Sequence, residues 1–176
     1  HAGCASTRSE AALPTPKCIV AATDFSGTSR AALHVVRDLA DAIGAHVHLL
    51  HVIPDPARLP YGMEAGLVFA DLERDWRARA QRSLEQARDE AGLAAGRTAL
   101  VIAMGDAAHE IVASARSLRA DIIVMGTHGH GFVARLVMGS VADKVLRHAD
   151  RPVLIVPHPA LRHMQASASA TEEVGV

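Results

Sequence analysis

Five short runs of the chain are apolar almost from end to end, and longer segments of helical period separate them. The runs are Lys17–Thr23 (KCIVAAT), His46–Ile53 (HVHLLHVI), Thr98–Met104, Asp121–Met125 and Pro152–Pro157 (PVLIVP). A strand exposed on one face alternates apolar and polar residues, whereas one that is apolar throughout is covered on both faces. The first intervening segment carries Ala32, Val35, Val36, Leu39, Ala40 and Ile43 on one stripe and stops at Gly44, a natural C-terminal cap. The second places Trp76, Ala80, Leu84, Ala87 and Ala91 on one face, with Gly92 near its end. A third begins at Asp106, a good N-cap, and its stripe is Ala108, Ile111, Val112 and Ala115. The order β-α-β-α-β-α-β-loop-α-β predicts an α/β fold: a doubly wound, open, five-stranded parallel sheet of strand order 3-2-1-4-5, with helices on both faces.

Residues 17–157 hold these elements and are expected to form one domain. Residues 1–16 are small and polar and read as a loose arm, in part a cloning remnant; residues 158–176 read as a polar tail. The segment Asp55–Leu67, with two prolines and two glycines, reads as irregular. A formal net charge of −1 argues against a nucleic-acid surface or an anionic-membrane binder, both of which depend on excess Lys and Arg. The arginines of DLERDWRARAQRSLEQARDE are interleaved with acids, as on a solvated helix face. No stretch approaches the ~20 apolar residues of a membrane span, no signal-like h-region is present, and two cysteines make no disulfide framework. A cytoplasmic location is expected.

In an open parallel sheet, ligands sit beyond the carboxyl ends of the strands where the strand order reverses. With order 3-2-1-4-5 the reversal falls between the first and fourth strands, so two loops are marked: the one from Thr23-Asp24 and the one from Gly126. The second, GTHGHGFVARLVMGS, leads from the fourth strand to the last helix. Ser140 followed three residues later by Asp143 suggests an N-cap, and the free amides of a helix start favour an anion. Gly126 and Gly129 let the incoming loop present further amides, and Thr127 and Ser140 add hydroxyls. Across the reversal, Asp24 can accept hydrogen bonds from a base amino group or ribose hydroxyls, while Ala22, Val52 and Met125 at the strand ends suit a planar base. The expected ligand is a nucleotide with its polyphosphate on backbone amides and a shared divalent cation.

Other readings of the same residues fare less well. Gly129-His-Gly131-Phe-Val-Ala134 fits a dinucleotide fingerprint, but in mid-loop and without the acid about 20 residues on. A Walker loop needs its lysine, and the only lysines are Lys17 and Lys144. His46 and His48 face one side of a strand and His51 the other, so they do not converge on a metal. His128 and His130 are either aids to an anion or exposed loop residues.

The motif Gly126-x2-Gly129-x9-Gly139-Ser140, with VAATDFSG at the first strand and LLHVIP at the second, resembles the universal stress protein family, and within it the ATP-binding branch. The resemblance spans Lys17 to Pro157. It implies an adenosine side of Ala22, Thr23, Asp24 and Val52, and a ribose and phosphate side of Met125, Gly126, His128, Gly129, Gly139, Ser140 and Val141. Ala22 stands where a proline is sometimes found. The implied ligand is ATP with Mg2+, and the implied role a nucleotide-dependent regulatory module in a stress response, with slow ATP hydrolysis at most. No residue is assigned a catalytic role, since no base stands beside Ser140 or Thr127. An ATP-dependent phosphotransfer enzyme that modifies itself, and an AMP or cyclic-nucleotide sensor, use the same pocket. The resemblance also implies a homodimer, and Pro152–Pro157, an apolar edge strand without protecting charge, would pair across its two-fold axis. A regulatory module further implies a downstream protein partner, which no motif in the chain identifies.

Overall fold

A computed structural model describes residues 15–55, 66–127 and 138–157. Five strands, β1 (Cys18–Ala22), β2 (His46–Ile53), β3 (Thr98–Met104), β4 (Ile122–Gly126) and β5 (Val153–Val156), form one sheet of order β3-β2-β1-β4-β5. Every pairing is parallel. The helices are α1 (Gly27–Ile43), α2 (Gly66–Ala91), α3 (Ala107–Ser117) and α4 (Ser140–His148), and a short 3-10 turn, Ala95–Arg97, precedes β3. This is the expected topology, and β2 and β3 begin and end where the sequence places them. The single-turn helix at Ala95 has no apolar stripe and left no trace in the hydrophobic pattern.

The parallel strands are apolar on both faces because each face has its own core. Ile19, Ala21, Val47, Leu49 and Val124 pack under α1 and α2, whereas Val20, Leu50, Ile123 and Met125 pack under α3 and α4. All four α3 stripe residues are buried, as are Ala80, Leu84, Ala87 and Ala91 of α2. Trp76, expected on that same stripe, is only half-buried. Leu33 of α1 is fully buried although it lies off the stripe drawn from the sequence, because α1 is covered by both the sheet and α2.

The helix ends follow local chemistry. Gly44 caps α1 with φ +65°, the left-handed conformation that costs glycine least. Asp106 caps α3, its side chain accepting from the His109 amide at 3.0 Å. Because the strands are all parallel, each of them ends at the same edge of the sheet. The turns after β1, β2 and β4, and the start of α3, therefore gather at the carboxyl edge, flanking the strand-order reversal between β1 and β4.

Candidate functional site

A cavity of ≈ 380 Å³ opens at that reversal. One wall is the turn after β1. Thr23 continues the sheet, its amide donating to Leu50 O at 2.9 Å. Its buried hydroxyl donates to Ser29 Oγ and accepts from the Phe25 amide, each at 3.0 Å. Asp24 Oδ1 accepts from the Ser26 amide at 3.0 Å, and Ser26 in turn caps α1 by accepting from Ser29 N. Asp24 is therefore not the cap of α1. Its carboxylate closes an Asx turn that sets its own position at the cavity wall.

His51 braces this turn from the neighbouring strand. Its Nδ1 lies 2.8 Å from the Thr23 carbonyl oxygen. A carbonyl only accepts, so Nδ1 carries the proton and Nε2 is the acceptor of the neutral ring. The ring also packs on Phe25, with centroids 4.4 Å apart, and Phe25 itself has φ +64°. The histidine is thus spent on the backbone, in keeping with its position opposite His46 and His48.

The facing wall comes from the two ends of the glycine-rich segment. Thr127 N donates to Val156 O at 3.1 Å and Gly139 N donates to Thr127 O at 2.8 Å, which clamps the segment at its base and sets β4 beside the start of α4. The sequence reading made Ser140 the cap of this helix. The structure makes Gly139 the cap and Ser140 the first helical residue. Glycine has no side-chain oxygen, so the opening amides of α4 receive no side-chain acceptor from the cap, and Ser140 is left exposed at the rim. Asp143 is turned to Arg147 at 2.9 Å instead of reaching back in a capping box.

Gly126 also has a different reason from the expected one. A Cβ there would lie 2.8 Å from Thr28 Cγ2 and 3.1 Å from the Thr28 carbonyl carbon. Close passage of α1 over the end of β4 demands the glycine, whatever the loop does with a ligand.

Ala22, Thr23, Asp24, Val52, Met125, Gly126, Thr127, Gly139, Ser140 and Val141, all named from the sequence, line this one cavity. His128 and Gly129 lie outside the described residues, as does the dinucleotide-like run from Gly129 to Ala134. The sequence reading missed Ser29, Leu50, His51, Ala142, Ala107 and Ile111. The last two come from α3, whose start at Asp106 could have flagged them: it follows β3 at the same edge of the sheet. Asp24 and His51 are the ionisable residues among the described lining, which holds no lysine or arginine. At the outer rim Lys144 Nζ approaches Asp106 Oδ2 at 3.7 Å, joining α3 to α4. The His109 amide first, and the Lys144 charge in addition, hold the Asp106 carboxyl below its usual range. No three His, Cys, Asp or Glu side chains among the described residues are grouped to hold a metal ion. Oxygens of the kind a divalent cation takes line the cavity at Asp24, Thr127 and Ser140.

Sheet order, a cavity at the switch point and a helix start facing an acidic turn define an open doubly wound α/β protein with a candidate ligand site. The model of the universal stress protein family matches residues 16–157, and the chain belongs to that family. It is 35% identical over 143 residues to a universal stress protein of Thermus aquaticus, covering 80% of this chain and 98% of the relative. It is 31% identical over 153 residues to universal stress protein MJ0577 of Methanocaldococcus jannaschii, covering 80% and 94%. The solved structure of MJ0577 superposes with a TM-score of 0.71 at 29% identity, covering 81% of this chain and 96% of that one. A universal stress protein crystallised in complex with cAMP shares the fold, with a TM-score of 0.57 at 23% identity over 82% of this chain and 98% of that one. No described helix is long and apolar enough to cross a membrane.

Proposed function

We propose that this chain binds an adenine nucleotide, ATP with Mg2+, in the switch-point cavity and acts as a nucleotide-dependent regulatory module. The observation that carries the reading is the confrontation, across one cavity, of an uncapped helix start at Gly139-Ser140 with the Asp24 turn. The first amides and dipole of α4 favour the phosphates, aided by the Thr127 and Ser140 hydroxyls. The Asp24 carboxylate favours hydrogen-bond donors, the ribose hydroxyls or a base amino group. Ala22, Val52 and Met125 offer the base an apolar bed, and a volume of ≈ 380 Å³ lies within the range of small-molecule sites. His128 and Gly129 are proposed as further phosphate contacts on the strength of the family motif.

The lining favours binding over chemistry. Hydrolysis requires a group that sets a water in line with the terminal phosphate, and transfer requires an acceptor with a base beside it. Asp24 stands on the nucleoside side, and His51 is committed to the Thr23 carbonyl. With γ-labelled ATP and purified protein, turnover should stay below about 1 s⁻¹, the low end for ordinary enzymes. Faster turnover, or label retained on Ser140 or Thr127, would replace the regulatory reading with phosphotransfer. Because a protein of the same fold was crystallised with cAMP, mass spectrometry of ligand released from the purified protein should compare ATP, AMP and cAMP directly. We place the protein in the cytoplasm as a homodimer through β5, whose Leu154 is an exposed apolar side chain on an edge strand.

A further inference from the structure

A second cavity, of ≈ 260 Å³, opens on the opposite face of the sheet, between the Phe25 turn, the end of β2 and the middle of α2. Its wall is largely rings and hydrocarbon: Phe25, His51, Ile53 and Trp76 contribute. His51 borders both cavities, with its ring stacked on Phe25. Among the described residues no carboxylate lines the second one, whereas Arg79 does. Along the same helix Arg74 pairs with Asp71 and Arg77 with Glu73, but Arg79 has no hydrogen bond or ion pair among the described residues. The electrostatic sign of this cavity is therefore opposite to that of the Asp24 wall.

We propose that this cavity is a second ligand site and that it takes a small aromatic carboxylate. A lining of aromatic rings and aliphatic groups selects a planar apolar body. A planar guanidinium with its donors unengaged matches a carboxylate in a two-pronged hydrogen bond. The volume falls below that of pockets for drug-sized molecules, which favours a single ring over a nucleotide. The site does not depend on what the first cavity binds.

Trp76 is the only tryptophan in the chain, so its emission reports on this site directly. Benzoate serves as the probe, and benzamide as its uncharged counterpart. Benzoate should change Trp76 emission saturably at about 1 mM or below, with matching uptake in equilibrium dialysis. Benzamide, and benzoate on Arg79→Gln, should bind about tenfold or more weakly, because each lacks one partner of the charged pair. Ser83→Phe, which fills the cavity from the half-buried face of α2, should abolish uptake. Absence of saturable uptake in dialysis would overturn the proposal, as would wild-type affinity for benzoate in either variant.

Discussion

The Thr28 side chain occupies the space that a side chain at residue 126 would need: a Cβ on Gly126 would sit 2.8 Å from Thr28 Cγ2. This contact locks the first turn of α1 onto the end of β4, and so sets the Asp24 turn beside Gly126 and Thr127. Gly126→Ala should destabilise the fold by about 1–3 kcal/mol, the usual cost of inserting a methyl group into a packed site. Adding Thr28→Ser removes the nearest atom and should restore part of the loss, since the Thr28 carbonyl carbon remains 3.1 Å away. Urea unfolding of the three proteins measures it. An unchanged midpoint in Gly126→Ala would mean that α1 and β4 are not packed as described.

His48 carries a buried Nδ1 with no hydrogen-bond partner among the described residues, flanked in the sheet by Val20 and Ala99. Burial first, and the nearby His46 in addition, lower its pKa from 6.5. The unfolded chain then binds the proton more readily. The stability tied to neutral His48 is complete above about pH 6.5 and is lost as pH falls through the lower folded value. His48→Val removes both the orphaned nitrogen and this titration. The variant should be more stable than wild type by about 1 kcal/mol near neutrality, and its advantage should widen on acidification. Denaturant midpoints across that range test it; a constant or shrinking difference would show that His48 does not titrate in this way.

Leu154 is 36% exposed on the edge strand β5. If β5 pairs with its own copy, Leu154→Lys sets like charges against each other across the two-fold axis and should convert a dimer to a monomer. Sedimentation velocity at micromolar protein reads the outcome. Monomeric wild-type protein would remove the dimer from the account.

The fold was legible because apolar runs on both faces and one-sided helical stripes admit few arrangements, and chain order then marked the two loops beside β1 and β4. Local side-chain chemistry was less legible. Ser140-x2-Asp143 carries the letters of a capping box, yet Gly139 occupies the cap, and the helix starts one residue earlier than that pattern implies, at Ser140, directly after the clamp between Gly139 N and Thr127 O. Gly126 looked like a ligand-approach glycine, and only the path of α1 reveals its packing role. The contribution of α3 through Ala107 and Ile111 depends on how far that helix leans over the sheet, which periodicity does not encode. The bracing of the Asp24 turn by His51 joins residues 28 apart in sequence and became visible only once β1 and β2 were paired.

The central claim is that an uncapped helix start captures the phosphates, and Gly139→Asp tests it most directly. With φ −62° and ψ 149°, residue 139 has a backbone conformation that any L residue adopts, and aspartate supplies the missing cap. It should leave thermal stability equal or raise it by a few tenths of a kcal/mol, while setting a negative charge where the phosphates are proposed to bind. Isothermal titration of magnesium-ATP should show saturable heat with wild-type protein and an affinity about tenfold or more weaker in the variant. No heat with wild type, or equal affinities for the two proteins, would contradict the account.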